Sequence, residues 1–296
     1  MIKPDWIAVD WGTTSLRAWA MGLDGVLDHN ASDAGMNAVR PGGFELALKE
    51  VIERWLSDAP VDVIACGMVG ARQGWREAPY LSAPCKPFAG GLIEAPVEDH
   101  RFRVRIIPGV SQQKPLDVMR GEETQIAGLL TGTPSFDGVV CLPGTHTKWA
   151  QISAGEICHF RTAMTGELFD LLAHRSVLRH AVDLEWSDAV FAEAVDDALS
   201  RPERLSTELF TIRATSLLGA PADGFGAARL SGLLIGAELA AMRPYWLGQE
   251  VSVIGAGPLS AHYTAALRQM GLEPMRHDVT DMTLAGLSAA RNTVVA

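Results

Sequence analysis

One short design is written twice in this chain, and the repetition restricts the available folds more than any other feature. Residues 7–20 read IAVDWGTTSLRAWA and residues 139–152 read VVCLPGTHTKWAQI. In each copy a β-rich run meets a Gly-Thr turn, a further hydroxyl follows two residues later, and a second β-like run containing Trp comes next. Each is punctuated again, at residues 22–25 and 153–155, before a third candidate strand. The pattern predicts two three-stranded meanders, each leading into helical and α/β sequence.

Composition agrees with a chain built in two halves. At 296 residues, 48% of them hydrophobic and 20% charged, the chain can bury a large core, and a core of this size tends to split into two lobes. The formal charge of −10, from 35 acidic and 25 basic residues, argues against nonspecific binding to nucleic acid or to an anionic membrane. A small anionic ligand would be held by a few local donors, which net charge does not forbid. Cys66, Cys85, Cys141 and Cys158 are widely spaced with no CxxC pair, and read as buried thiols of a reducing compartment. Asp5 and Asp10 interrupt the N-terminus before a signal-peptide stretch can develop, and the apolar run from Leu230 to Met242 carries Glu238 and is too short to span a membrane. These features predict a cytoplasmic protein.

Between the repeats, the apolar spacing from Phe44 to Leu56 predicts a helix, and VDVIAC from Val61 a buried strand. RVRIIPG from Arg103 reads as another strand, and EETQIAGLL from Glu122 as a helix start with acids in its first turn. Helices are expected over residues 165–178, 187–199, 227–242 and 260–270, with VSVIGAG from Val251 as a strand ending in a glycine turn. Residues 83–100, rich in Pro and Gly, read as an irregular loop that could form part of a substrate mouth.

A Gly-Thr turn between strands offers backbone N–H groups and hydroxyls in a concavity suited to phosphate oxygens, and two such turns could grip a polyphosphate from both sides. The first copy has Asp10 two residues before Gly12, where the second has Leu142. An acid at the exit of a buried strand needs a partner, and a hydrated magnesium ion is a natural one. Lys148 follows the second turn, as a phosphate contact or as a solvated strand lysine. GAGPLS, residues 255–260, follows a strand and opens a helix, but it has Ser260 where a dinucleotide fingerprint has its third glycine. Glu273 lies near the place of a ribose-binding acid, yet too little chain follows for a complete dinucleotide-binding sheet. VMRGEETQ, residues 118–125, sets Arg120, Glu122 and Glu123 around a glycine. Such acids are either complements to a helix dipole or candidate general bases. No GxxxxGK[ST], HExxH or GxSxG occurs.

DWGTTSLR, PGTHTKW and VIGAGPLS resemble, in order and spacing, the two phosphate motifs and the adenosine motif of the actin, sugar kinase and heat-shock ATPase superfamily. GMVGARQGW from Gly67, APYLSAP from Ala78, IIPGV from Ile106, VMRGEETQ, PGTHTKW, FRTAMTGEL from Phe160 and SGLLIGAE from Ser231 are similar to the 2-dehydro-3-deoxygalactonokinase family. The resemblance implies an α/β fold of two actin-like (ribonuclease H-like) domains, residues 1–130 and 131–296, with an ATP cleft between them and a final helix that packs on the N-terminal lobe. It implies MgATP-dependent phosphorylation of the C6 hydroxyl of 2-dehydro-3-deoxy-D-galactonate, in galactonate catabolism.

Carried over by residue, the resemblance gives Asp10 the magnesium ion (Mg2+), held through water. Gly12, Thr13 and Thr14 would line the first phosphate loop, and Gly144, Thr145, His146 and Thr147 the second, with Lys148 at its edge. Gly255, Ala256 and Gly257 would approach the adenosine. Glu123, followed by Thr124, has the place of the catalytic Asp-Thr of hexokinase-like relatives, so Glu123 is implied as the base and Glu122 as the alternative. Arg72, Arg120 and Arg161 are the candidates for the substrate carboxylate. The chain departs from its relatives in offering Glu in place of Asp and Leu142 in place of an acid before the second turn. Three other readings compete with this one: a kinase for another 2-keto-3-deoxy sugar acid, an exopolyphosphatase-like hydrolase on the same fold, and a non-catalytic ATP-switched module. The expected partners are a sugar acid and ATP, with no nucleic acid or membrane, and self-association is left open.

Overall fold

Strand β1 (Trp6–Trp11) is buried on both faces, as its nearly unbroken apolar run requires. Ile7, Val9 and Trp11 enter one core, and Trp6 and Ala8 the other. Asp10 is the one half-buried residue of the strand, and period-two alternation places it on the face of Trp6 and Ala8. The structure is a computed structural model that describes residues 2–182, 185–219 and 221–295. It divides into two compact units.

The first unit comprises Met1–Phe136, Ile152–His159 and Val279–Ala296. After β1 come β2 (Leu16–Gly22), β3 (Gly25–Ser32), α1 (Phe44–Ile52), β4 (Val61–Gly67), β5 (Leu81–Ser82), β6 (Ile93–Glu94), β7 (Phe102–Ile106), β8 (Val110–Gln113), β9 (Leu116–Met119) and α2 (Glu122–Gly132). The main sheet has the order β3-β2-β1-β4-β7-β6. The meander β1-β2-β3 is antiparallel, and β4 and β7 continue parallel to β1. Helix α1 covers one face with Phe44, Leu48, Val51 and Ile52. It stops four residues short of the expected Leu56, with a single tighter turn at Glu53–Trp55. The other face is covered through Ala127 of α2 and through Leu287 and Ala290 of the last helix (Val279–Val295). The small sheet β5-β8-β9 feeds directly into α2. Much of the loop over residues 83–100 is built into this unit, with β6 at the sheet edge and Phe88 in the core.

The second unit comprises Asp137–Gln151 and Phe160–Asp278. Its elements are β10 (Gly138–Leu142), β11 (Thr147–Ser153), β12 (Glu156–Ala163), α3 (Thr165–Arg175), α4 (Asp188–Ser200), α5 (Leu205–Leu218), α6 (Phe225–Ala241), α7 (Arg243–Trp246), β13 (Val251–Gly255), α8 (Gly257–Gln269) and β14 (Met275–Asp278). The sheet order β12-β11-β10-β13-β14, with β13 and β14 parallel to β10, repeats the plan of the first sheet. The repeat read from the sequence is therefore a repeat of topology, and this meander-led sheet is not a dinucleotide-binding one. The expected division at 130/131 would cut the last turn of α2, whereas the units divide between Phe136 and Asp137. The hairpin tip over residues 152–159 belongs to the first unit, where Ile157 exchanges two backbone hydrogen bonds with Cys85.

Helix α5 has no sequence signal of its own, because only Ile212 is buried while Phe210, Leu217 and Leu218 are exposed. All four cysteines are free, Cys66 and Cys141 buried and Cys85 and Cys158 half-buried. Among the described residues no helix is long and apolar enough to cross a membrane.

Candidate active site

In the first unit, polar groups gather where β1 and β4 end and α2 begins, the end of a parallel sheet at which ligands bind in open α/β folds. Asp10 and Arg17 are cross-strand partners, and Arg17 Nη2 is ion-paired with Asp10 Oδ2. Cys66, at the end of β4, lies with its Sγ 3.8 Å from Asp10 Oδ1. Burial pushes the Cys66 thiol well up, and the negative charges of Asp10 and Glu123 push it further. The turn over residues 12–15 is closed by the Gly12 amide donating to the Ser15 carbonyl at 2.8 Å. It is braced from behind by Met36 and Asn37, whose amides donate to the carbonyls of Gly12 and Thr13. Thr13 and Thr14 are exposed at its tip.

Gly121, with φ of +107°, turns the chain from β9 into α2. An L side chain is strained in that conformation, so glycine is required there. Both acids of the first turn reach back across this bend. Glu122 Oε2 accepts the Arg120 amide at 3.0 Å, and Glu123 Oε2 accepts the Gly121 amide at 2.7 Å. Glu123 Oε1 accepts the Thr124 hydroxyl at 3.0 Å. Glu123 is only 1% exposed. Burial, and then repulsion from Glu122, raise its carboxyl to about 8 against the pull of those hydrogen bonds.

Arg120, one residue before the bend, is 9% exposed and stacks over the Tyr80 ring at 4.4 Å. Its Nη2 donates to the Ala78 carbonyl at 2.7 Å, and its Nε and Nη1 have no hydrogen-bond partner among the described residues. Two buried, oriented and unsatisfied donors of a cation make a strong anion receptor.

In the second unit a cavity of about 380 Å³ is lined by Gly144, Thr145 and Gly166, by Pro258, Leu259 and His262, and by Ser231 and Ile235 of α6. Trp186 also lines it, stacked on His262 at 3.8 Å between ring centroids. Burial lowers the His262 pKa, which favours the neutral ring. Gly144 and Thr145 are fixed against the start of α3, where the Glu167 amide donates to the Thr145 carbonyl at 3.0 Å. His146 Nε2 lies 2.5 Å from Glu167 Oε2. A Cβ on Gly166 would stand 2.3 Å from the Gly144 carbonyl oxygen, so only glycine permits this approach. Residues 255–257 form the strand-to-helix turn, and α8 begins three residues earlier than expected, at Gly257, with Pro258 in its first turn.

A family model for 2-keto-3-deoxy-galactonokinase matches residues 10–290 of the chain. The chain belongs to this family. It is 39% identical over 297 residues to the probable 2-dehydro-3-deoxygalactonokinase of Rhizobium meliloti strain 1021, with 97% of this chain and 96% of that protein covered. To the 2-dehydro-3-deoxygalactonokinase of Escherichia coli K12 it is 38% identical over 272 residues, covering 90% of this chain and 91% of the other. A crystal structure from Sinorhizobium meliloti with the same provisional assignment superposes with a TM-score of 0.90 at 38% identity, covering 98% and 96% of the two chains. At the level of fold alone, component A of the (R)-2-hydroxyglutaryl-CoA dehydratase of Acidaminococcus fermentans matches with a TM-score of 0.52 at 11% identity, over 98% of both chains. The fold is thus the α/β fold of actin-like ATPases and sugar kinases.

Within this 2-keto-3-deoxy-galactonokinase fold several expected site residues stand differently from their sequence reading. Thr147 is fully buried and its hydroxyl lies 2.9 Å from the Tyr263 hydroxyl, so it is part of the framework behind the turn and not a phosphate-facing group. Lys148 is 5% exposed, which rules out the solvated-strand reading. Arg72 and Arg161 are exposed, unlike Arg120. Glu273 is paired with Arg268 at 3.1 Å on the surface, so a ribose-binding role loses its basis. Asp10 already has a protein cation in Arg17, a partner that the linear sequence gave no reason to prefer over a metal. Sequence reasoning missed Trp186 and His262 in the cavity wall, and it read Glu238 only as a break in an apolar run. The one available signal for Glu238 was an acid inside an otherwise apolar helix, which demands buried partners.

Proposed function

We propose that the chain is an ATP-dependent kinase that phosphorylates the C6 hydroxyl of 2-dehydro-3-deoxy-D-galactonate, giving the 6-phosphate in galactonate catabolism. Membership of the family supports this reading, and the observation that carries it is the Arg120-Gly121-Glu122-Glu123 bend. It sets a buried guanidinium with two unpartnered donors and a buried acid of raised pKa within four residues of one another. A sugar acid needs both, a fixed donor pair for its carboxylate and a base for its hydroxyl. Arg120 is the carboxylate receptor in this reading, since the exposed Arg72 and Arg161 lack its preorganisation.

Glu123 orients the C6 hydroxyl and takes its proton as the oxygen attacks the γ-phosphate in line. A pKa of about 8 makes the carboxylate basic enough to accept that proton near neutral pH. Glu122 assists by repulsion, which keeps Glu123 basic, and is the alternative base. Phosphoryl transfer has a loose transition state, so most of the catalysis is positioning and charge neutralisation. The amides of the turn at residues 12–14 and of Gly144, Thr145 and His146 serve the phosphates. The cavity of the second unit, beside residues 255–257, holds the nucleoside.

Among the described residues no group of three or more His, Cys, Asp or Glu could enclose a metal. Magnesium needs no such group, since it keeps several waters and is bound through one or two carboxylates plus substrate phosphates. Asp10 would hold it through water by Oδ1, since Oδ2 is engaged by Arg17. When bound, the ion supplies neutralisation of the phosphate oxygens. The cytoplasm, where ATP is available, is the proposed location.

The deciding experiment is a coupled ATP assay against a panel of 2-keto-3-deoxy sugar acids, with the phosphorylated carbon located by NMR. A 6-phosphorylated galactonate derivative is expected. ATP or polyphosphate hydrolysis that ignores the sugar acid would instead establish a hydrolase.

A further inference from the structure

Glu238 is 6% exposed, and it is the one acid of the largely apolar helix α6. Its two oxygens collect three donors from three different elements. Oε1 accepts the Trp149 indole of β11 at 2.6 Å, and Oε2 accepts the Tyr263 hydroxyl of α8 at 2.8 Å together with the Thr165 hydroxyl that opens α3. Tyr263 in turn pairs with Thr147 of β11 at 2.9 Å.

These elements share one geometric feature. Thr147 and Trp149 lie on the strand that leaves the second Gly-Thr turn. Thr165 is followed by Gly166 and Glu167, which hold Gly144 and Thr145 by close approach and by the Glu167 amide. Tyr263 lies on α8, whose first residues Pro258 and Leu259 also line the cavity. One carboxylate therefore fixes the turn from its outgoing strand and from the helix that holds it, and ties both to α8, which also lines the cavity.

Burying a carboxylate is expensive, and replacing a whole buried polar set by apolar side chains of similar volume is often neutral or stabilising. A buried polar network is retained more readily when it specifies one arrangement, since each donor accepts only one geometry. We infer that Glu238 is a positioning residue that holds the Gly144-Thr145 turn and the nucleotide cavity in binding-ready register, without touching the nucleotide. The inference rests on the reading that this cavity takes the nucleotide.

The test compares Glu238→Gln, Tyr263→Phe and Thr165→Val with the parent in the full chain. Nucleotide affinity is measured by calorimetry with MgATP, and KM is measured separately for ATP and for the sugar acid. Glu238→Gln cannot accept all three donors, so the affinity for ATP should fall about tenfold or more while the sugar-acid KM changes less than about twofold. Tyr263→Phe and Thr165→Val each delete one donor with the packing kept, and should weaken ATP in the same sense; they decide the matter if the Gln variant does not fold. Combined with Glu238→Gln, Tyr263→Phe should add little, because both break one network. Thr145→Trp, which fills the cavity, separates the two claims. If it leaves ATP affinity intact, the nucleotide reading and this inference both fall. If it abolishes ATP binding while the three network variants bind normally, or lose ATP and sugar acid equally, only the positioning role is overturned.

Discussion

Asp10 and Arg17 face each other across β1 and β2, and their side chains form an ion pair at the mouth of the first Gly-Thr turn. The pair means that Asp10 would meet the proposed magnesium ion already partly neutralised. Asp10→Asn should therefore leave the fold intact and act on the metal requirement, raising the free magnesium needed for half-maximal rate and lowering kcat about tenfold or more. Initial rates over a magnesium titration at saturating ATP measure this. An unchanged magnesium dependence would remove Asp10 from the proposed metal role.

Glu123→Gln should lower kcat by about 10² to 10⁴ with MgATP binding retained, because it removes the proposed proton acceptor and one hydrogen bond local to the bend. Near-parent turnover would pass the role to Glu122.

The pH profile should carry the same signature. With the Glu123 carboxyl at about 8, kcat/KM is expected to rise as pH increases towards 8 and then level. Glu122→Gln removes the repulsion that helps hold that pKa up, so its profile should rise at lower pH. A profile flat from pH 6 to 9 in the parent would count against Glu123.

The raised pKa also has a sign for stability. Folded Glu123 keeps its proton up to about 8, whereas the unfolded residue loses it near the ordinary glutamate value of 4.5. Between these values the folded state binds more protons, so this group's contribution is full below about 4.5 and is lost by about 8. Glu123→Gln removes that loss and should gain stability over the parent across this window, by at most about 1.4 kcal/mol per pH unit. Denaturant melts at pH 5 and pH 8 give the comparison; an equal difference at both would contradict it.

Arg120→Met should raise the sugar-acid KM by roughly a hundredfold, as expected when one member of a buried charge pair is removed. The ATP KM should stay near the parent value. Stability should change little, because the loss of the bond to the Ala78 carbonyl and of the cation–π stack on Tyr80 is offset by removal of two unsatisfied N–H groups.

Gly166→Ala places a Cβ where the Gly144 carbonyl oxygen stands, at 2.3 Å. The turn or α3 must move, at a cost of about 1 to 3 kcal/mol. Weakened ATP binding with a lower melting temperature is expected, and normal ATP affinity would show that the turn does not need this contact.

The repeat was legible because it is local: a strand, a turn and a strand leave a period and a glycine in the sequence. Residues 6–32 and 138–163 became the two meanders for that reason. Helix α5, whose apolar residues follow no buried stripe, left no such mark. Residues 255–257 were found by their glycines, while the aromatic stack of Trp186 on His262 was not, because its members are 76 positions apart and meet only after folding.

By itself the sequence determined the duplicated α/β plan, the Gly-Thr turns and the acid pair at the start of α2, since each is set by neighbours along the chain. Tertiary structure alone decided which of these groups are charged, buried or engaged. It gave Asp10 its Arg17, raised Glu123 by sealing it beside Glu122, turned Thr147 inward to Tyr263, left Arg120 with open donors and assembled three donors on Glu238. The reason is physical: a side chain's pKa and hydrogen bonds depend on solvent exclusion and on partners brought from distant positions, and neither exists before the chain has folded.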